Sequence, residues 1–154
     1  MRIKTWLLIM IGLSAALVLT GFQTSTKIDR KQLKTMLSQL GYEVKDLDTT
    51  EGKEKYSLTL QQGGLNIPIA AEISANENYI WLTVFCKDGV PTADKAVNLL
   101  KRNADIQPSQ FYITKSNKTM LGLCIENHEI TNAVLRQRVE KIADDVVKTK
   151  DDWQ

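Results

Sequence analysis

Odd and even positions between Lys55 and Cys86 belong to two different faces. Tyr56, Leu58 and Leu60 alternate with Ser57, Thr59 and Gln61. After Gly63-Gly64, Leu65, Ile67, Ile69, Ala71 and Ile73 alternate with Asn66, Pro68, Ala70, Glu72 and Ser74. Asn76-Glu77-Asn78 interrupts the rhythm, and Tyr79 to Cys86 runs apolar on both faces. A repeat of two suits a strand and not a helix, which returns to one side every third or fourth residue. Three such runs joined by short turns predict an antiparallel meander. Gly63-Gly64 reads as its hairpin turn, being too short to cradle a phosphate. Pro68 has no N–H to give to a ladder, so a sheet edge or a bulge is expected there.

The remaining segments supply cover for that layer. Asp29 as N-cap with Gln32 three residues on forms a capping-box pattern, with Ile28 and Leu33 as its staple. Leu33, Met36, Leu37 and Leu40 fall on one stripe, and Gly41 suits the left-handed stop. A short strand is expected over 42–47. Pro91 and Thr92 open a second helix, with Asp94 in its first turn and a buried stripe of Ala93, Ala96, Val97, Leu100 and Ala104, Leu99 alongside. Phe111 to Thr114 and Met120 to Glu126 form a last hairpin. Thr131 caps a final helix with Leu135, Val139, Ile142 and Val146 at helical spacing. The expected fold class is α+β: an antiparallel sheet of five to six strands, three helices on one face, in the order α-β-β-β-β-α-β-β-α.

The N-terminus points to export. Arg2 and Lys4 precede an apolar run of 17 residues from Trp6 to Phe22. A charged start followed by an apolar stretch is a secretory signal layout. The same run sits at the lower length limit for a membrane span, about 17 residues. Residues 1–22 are therefore read as a cleaved signal peptide or a retained anchor, 23–27 as a polar leader, 28–148 as one domain, and 149–154 as a frayed tail. The expected location is the periplasm or the extracellular space, with membrane attachment only through residues 1–22. Without Arg2 and Lys4 the chain has 18 basic and 18 acidic residues, a formal charge of zero. Nucleic acid is not an expected partner of such a surface.

With this element order, the stretch Leu33-Lys34-Thr35-Met36-Leu37-Ser38-Gln39-Leu40-Gly41-Tyr42 resembles the opening of YbjN-type domains, which share a fold with type III secretion chaperones. The second helix over small and Leu positions, the cap at Thr131 and the terminal Trp153 follow the same pattern. The resemblance covers roughly Ile28 to Trp153. It implies a small, often dimeric, protein-binding fold without enzymatic activity or a shared catalytic motif. The export signal departs from the secretion chaperones, which work in the cytoplasm.

The residues themselves identify no chemistry. Glu126, His128 and Glu129 lack zinc spacing and read as a solvated loop. Asp144-Asp145 and Asp151-Asp152 are neighbours that point apart on a helix, unsuited to paired acid–base work. The lone His128 has no evident orienter for a nucleophile. No cofactor is expected. Cys86 and Cys124 leave two readings. If the more aliphatic face of each strand meets the helices, the sulfurs lie on opposite sides and no disulfide forms. If the aromatic face of the Tyr79 strand is buried, they share a side and bridge. In the aliphatic-inward register the open side of the sheet carries Tyr79, Trp81, Phe85, Tyr112 and Met120, an apolar patch suited to a protein partner or a second copy of the chain. Two other functions compete with this one: a carrier of a small apolar ligand held between sheet and helices, and an envelope enzyme.

Overall fold

The computed structural model describes residues 26–154. The segment 1–22 read as a signal or anchor, and most of the polar leader, lie outside those residues. Helix α1 (Arg30–Gln39) is followed by strands β1 (Lys45–Asp48), β2 (Lys55–Gln62), β3 (Leu65–Ile73) and β4 (Tyr79–Asp88). Then come helix α2 (Ala93–Arg102), strands β5 (Ser109–Ile113) and β6 (Lys118–Glu126), helix α3 (Asn132–Lys148) and a short α4 (Lys150–Trp153). The six strands form one antiparallel sheet in the order β1-β2-β3-β4-β6-β5. This is the expected α+β class and element order, with α4 added.

The alternation sets which rows face the helices. Tyr56 pairs with Ala71, Leu58 with Ile69, Ala71 with Leu82 and Leu82 with Leu123. That continuous aliphatic layer is buried under Leu33 and Leu37 of α1 and Leu135, Val139, Ile142 and Val146 of α3. A one-residue slip in any strand would turn its whole aliphatic row to water, so burial pins the register.

Local signals act where the sequence placed them. The Asp29 carboxylate accepts from Gln32 N at 2.8 Å, and Asp29 N donates to Gln32 Oε1 at 2.7 Å. Gly41 ends α1 with φ +91°. The Thr131 hydroxyl accepts from Val134 N and starts α3. Gly63 has φ +55° and Gly64 +74°, as a tight two-residue hairpin turn requires. A Cβ on Gly63 would come within 2.5 Å of Val147 Cγ1, so the turn is also the seat of the end of α3. Pro68 pairs with Thr59 of β2, but the β3–β4 ladder stops at Ala70–Thr83, short of the proline.

Three expectations need correction. The first strand runs over Lys45–Asp48, not 42–47, because Tyr42 and Val44 still pack against the core as the chain leaves α1. The stripe on α2 is not buried: Leu99 turns inward, while Ala93, Val97, Leu100 and Ala104 are exposed. The 149–154 tail is not frayed. Arg102 holds Asp152 at 2.8 Å, the Trp153 indole donates to Val146 O at 3.3 Å, and Lys87 donates to Gln154 O at 2.7 Å. The loop after β6 is exposed at Glu126, His128 and Glu129, as expected, while Asn127 between them is only 1 % exposed.

Candidate protein-binding surface

The face of the sheet turned away from α1 and α3 is built in rows by the strand register. Glu72, Trp81 and Cys124 stand side by side on β3, β4 and β6. The next row is Ala70, Thr83, Gly122 and Gln110. The third is Phe85, Met120 and Tyr112. No described helix covers them. Tyr79 is 40 % exposed and Phe85 46 %, while Trp81, Tyr112 and Met120 are half-buried. The structure thus brings Trp81, Phe85, Tyr112 and Met120 onto one face, with Tyr79 at its end opposite Glu126.

The middle row is low and the outer rows are tall. Trp81 and Tyr112 flank a groove of about 410 Å³ with Thr83, Gln110 and Glu72. Gly122 lies in the row between Thr83 and Gln110, and a Cβ there would meet Tyr112 Cε1 at 2.9 Å, so glycine lets the Tyr112 ring approach the strand. Glu72 is held by Lys55 at 3.0 Å, and the Lys118 ammonium sits 5.6 Å from the centre of the Phe85 ring. The Tyr112 hydroxyl is pushed up by burial first and then by its neighbours Glu72 and Cys86, so it stays a neutral donor at physiological pH.

The sheet edges are partly capped or short and charged. At β5, Phe111 N donates to Asn103 Oδ1 at 2.7 Å and the Asn103 amide returns a bond to Phe111 O. Ser109 N is taken by Ile106 O at 3.0 Å. At the other edge, β1 is four residues long and three of them are charged. Short, charged or capped edges resist pairing with another strand.

The two cysteines do not come together. Cys124 faces outward opposite Trp81, whereas Cys86 lies at an irregularity between Phe85 and Lys87 and packs against the core. Five residues along β4 separate Trp81 from Cys86, about 16 Å at strand spacing, against a limit of about 7 Å between bridged Cα atoms. Both thiols are free. The disulfide reading is thereby corrected in favour of the aliphatic-inward register.

Burial pushes the Cys86 thiol up to about 12, and burial and then Glu126 raise that of Cys124. Neither is a thiolate nucleophile at neutral pH. Because the folded Cys86 holds its proton above the thiol's ordinary 9.0, its contribution to stability is full below that value and is lost as pH climbs toward about 12. We expect wild-type stability relative to Cys86→Ala to fall by up to about 1.4 kcal/mol per pH unit in this window. Urea unfolding at pH 8 and pH 10.5 measures it, and an unchanged difference would contradict the burial of the thiol.

Asn127 carries no local signal of its role. Its amide donates to Ile28 O and Glu77 O, both at 2.9 Å, and its Oδ1 accepts from Ile28 N at 3.1 Å. It clamps the start of α1 to the β3–β4 turn at one end of the sheet. His128 is exposed beside it, 4.0 Å from Glu129. No three metal-ligating side chains converge among the described residues.

No family model and no curated protein matches the chain. A solved structure does: a chain of the heterodimeric ExoU-SpcU complex from the type III secretion system of Pseudomonas aeruginosa. It is 15 % identical with a TM-score of 0.54, over 78 % of this chain and 96 % of that one. The likeness is one of fold. It agrees with the secretion-chaperone-like architecture expected from the element order, and at this identity it shows nothing finer.

Proposed function

We propose that this chain is an exported, non-enzymatic protein-binding module that docks its partner on the open face of the sheet. One observation carries the reading: aromatic and thioether side chains stand in adjacent rows on a face that no described helix covers. Large apolar groups in a contiguous exposed patch mark interaction sites, and aromatics and methionine are enriched at such interfaces. The fold likeness to a component of a two-protein complex supports the same reading. The closer kinship with YbjN-type domains, drawn from Leu33 to Tyr42, belongs to this proposal, as does export through residues 1–22.

The geometry favours a binding module over the two rival functions. The apolar cavity between α2 and β5 has about 150 Å³, against at least about 300 Å³ for ordinary small-molecule sites. Among the described residues the thiols are held protonated and His128 lies in an exposed loop, and no nucleophile and base are assembled there.

Trp81→Ser tests the face. Affinity capture from the cell envelope with the tagged full chain should lose its partner by roughly 30-fold, the effect of a central aromatic anchor. Gln61→Ser, an exposed change on β2, should capture as wild type does. Equal recovery by Trp81→Ser and wild type would remove the sheet face as the binding site.

A further inference from the structure

The groove between Trp81 and Tyr112 is rich in hydrogen-bond donors. Its low row takes one residue from each of four strands: Ala70, Thr83, Gly122 and Gln110. Strands β4 and β6 lie between paired neighbours, so the main-chain groups at the centre of the groove are spent on the ladders. Thr83 is 7 % exposed. Its hydroxyl hydrogen-bonds to no other described residue, and it is not sealed off, because Thr83 lines the groove. The Trp81 indole, the Gln110 amide and the Tyr112 hydroxyl line the same groove and likewise have no partner among the described residues. A nearly buried hydroxyl beside three more donors is placed to meet acceptors on whatever fills the groove.

Three properties select the occupant. An ordinary extended peptide brings an N–H and a C=O at every residue. The groove meets the carbonyls, but its strong acceptors are only the Gln110 amide oxygen and the Glu72 carboxylate, which Lys55 already holds at 3.0 Å. Proline brings the carbonyl without the N–H. The spacing agrees: Trp81 on β4 and Tyr112 on β5 stand two strands apart, about 9.6 Å across the sheet. One three-residue turn of a polyproline II helix advances about 9.3 Å, so prolines three apart pass the two aromatics in turn. Charge adds the third property. Of the described residues lining the groove Glu72 alone is charged, while Lys55 and Lys53 line the neighbouring hollow. Burial and then Glu72 raise the Tyr112 hydroxyl, and burial and then Glu126 raise the Cys124 thiol, so the field along the groove is negative. A basic residue beside the prolines suits it, and an acidic one does not.

We propose that the partner of the open face presents a proline-rich segment with a basic flank, which lies across the strands in this groove as a polyproline II helix. The inference rests on the reading of the sheet face as the docking site and names what that face takes. The proline rings pack on Trp81 and Tyr112, their carbonyls accept from the groove's donors, and the basic flank lies toward Glu72. A polyproline II segment is already extended when free, so little ordering entropy opposes its docking.

Isothermal titration calorimetry of the full chain in mild detergent tests this with an oligoproline peptide of about ten residues bearing arginine at one end. It should bind about tenfold or more tightly than a glycine-serine peptide of the same length and the same arginine end. Exchanging the arginine for glutamate should weaken binding about threefold, and Glu72→Gln should erase that difference. Trp81→Ser should cost roughly 30-fold. Thr83→Val should cost about fivefold through the lost hydroxyl. Valine keeps the shape of threonine and suits a strand, so circular dichroism will show the fold retained. Gln61→Ser should bind as wild type does. The same peptide should displace the partner captured from the cell envelope. No preference for oligoproline over the glycine-serine peptide overturns the proposal. So does an affinity that Trp81→Ser or Thr83→Val leaves unchanged, or a chitin oligosaccharide held more tightly than oligoproline, which would assign the groove to a glycan. If Trp81→Ser loses the envelope partner while oligoproline neither binds nor competes, the sheet face stands as the docking site and the proline-rich partner alone falls.

Discussion

Asn127→Ala will unfold this domain at a temperature lower by roughly 10 °C. The side chain is 1 % exposed and makes three hydrogen bonds with main-chain groups of Ile28 and Glu77, while its own N–H donates to Asn78 O at 2.8 Å. Alanine keeps the last and removes the first three. A buried donor or acceptor left without a partner costs about 1–3 kcal/mol, so the sum reaches at least about 3 kcal/mol. For a domain of this size each kcal/mol lowers the melting temperature by about 2–4 °C or somewhat more. Thermal melting by circular dichroism measures the loss. Hydrogen exchange should show it first at Ile28 and the first turn of α1, which the clamp holds to the β3–β4 turn. A shift below about 3 °C would mean that water replaces the amide without penalty, and the clamp would lose its role.

Lys141→Met should destabilise the protein by about 3–5 kcal/mol. Asp145 is 3 % exposed, and Lys141 Nζ reaches its two carboxylate oxygens at 2.5 and 2.6 Å. The same ammonium donates to Ile106 O at 3.1 Å, which ties α3 to the α2–β5 connection. Methionine preserves most of the stem's packing and removes the charge, leaving the buried carboxylate without its counter-ion. The double variant Lys141→Met/Asp145→Leu is the control. Replacing both members of a buried pair by apolar groups is often neutral or stabilising, so it should recover at least half of the loss. Urea unfolding gives both numbers. A single variant within about 1 kcal/mol of wild type would show that solvent reaches Asp145.

Much of the fold was legible because its signals are local or strictly periodic. The Asp29–Gln32 capping box, the Gly41 stop, the Gly63-Gly64 turn and the Thr131 cap each involve residues within a few positions of one another. The alternation in β2 and β3 named the buried row correctly. It also allowed the aromatic and thioether set Tyr79, Trp81, Phe85, Tyr112 and Met120 to be placed on one open face, given the aliphatic-inward register. The stripe on α2 was read correctly as a pattern and wrongly as a buried one. Periodicity shows that a helix has an apolar side and not what that side meets. Asn127 was missed for the opposite reason: nothing near it in sequence distinguishes a clamp from a loop residue, since its partners lie 50 and 99 positions away.

The amino-acid order alone decided the type and order of the main strands and helices, where α1 and α3 are capped, and which side of β2 and β3 is apolar, because backbone sterics, capping and the two-residue repeat act over a few bonds. Tertiary structure alone decided that β6 separates β4 from β5, that the two cysteines lie too far apart to bridge, that the C-terminal tail docks, and that α2 turns its stripe outward. Those outcomes depend on which distant surfaces exclude water from one another. That competition runs over the whole chain, and no single segment of sequence carries it.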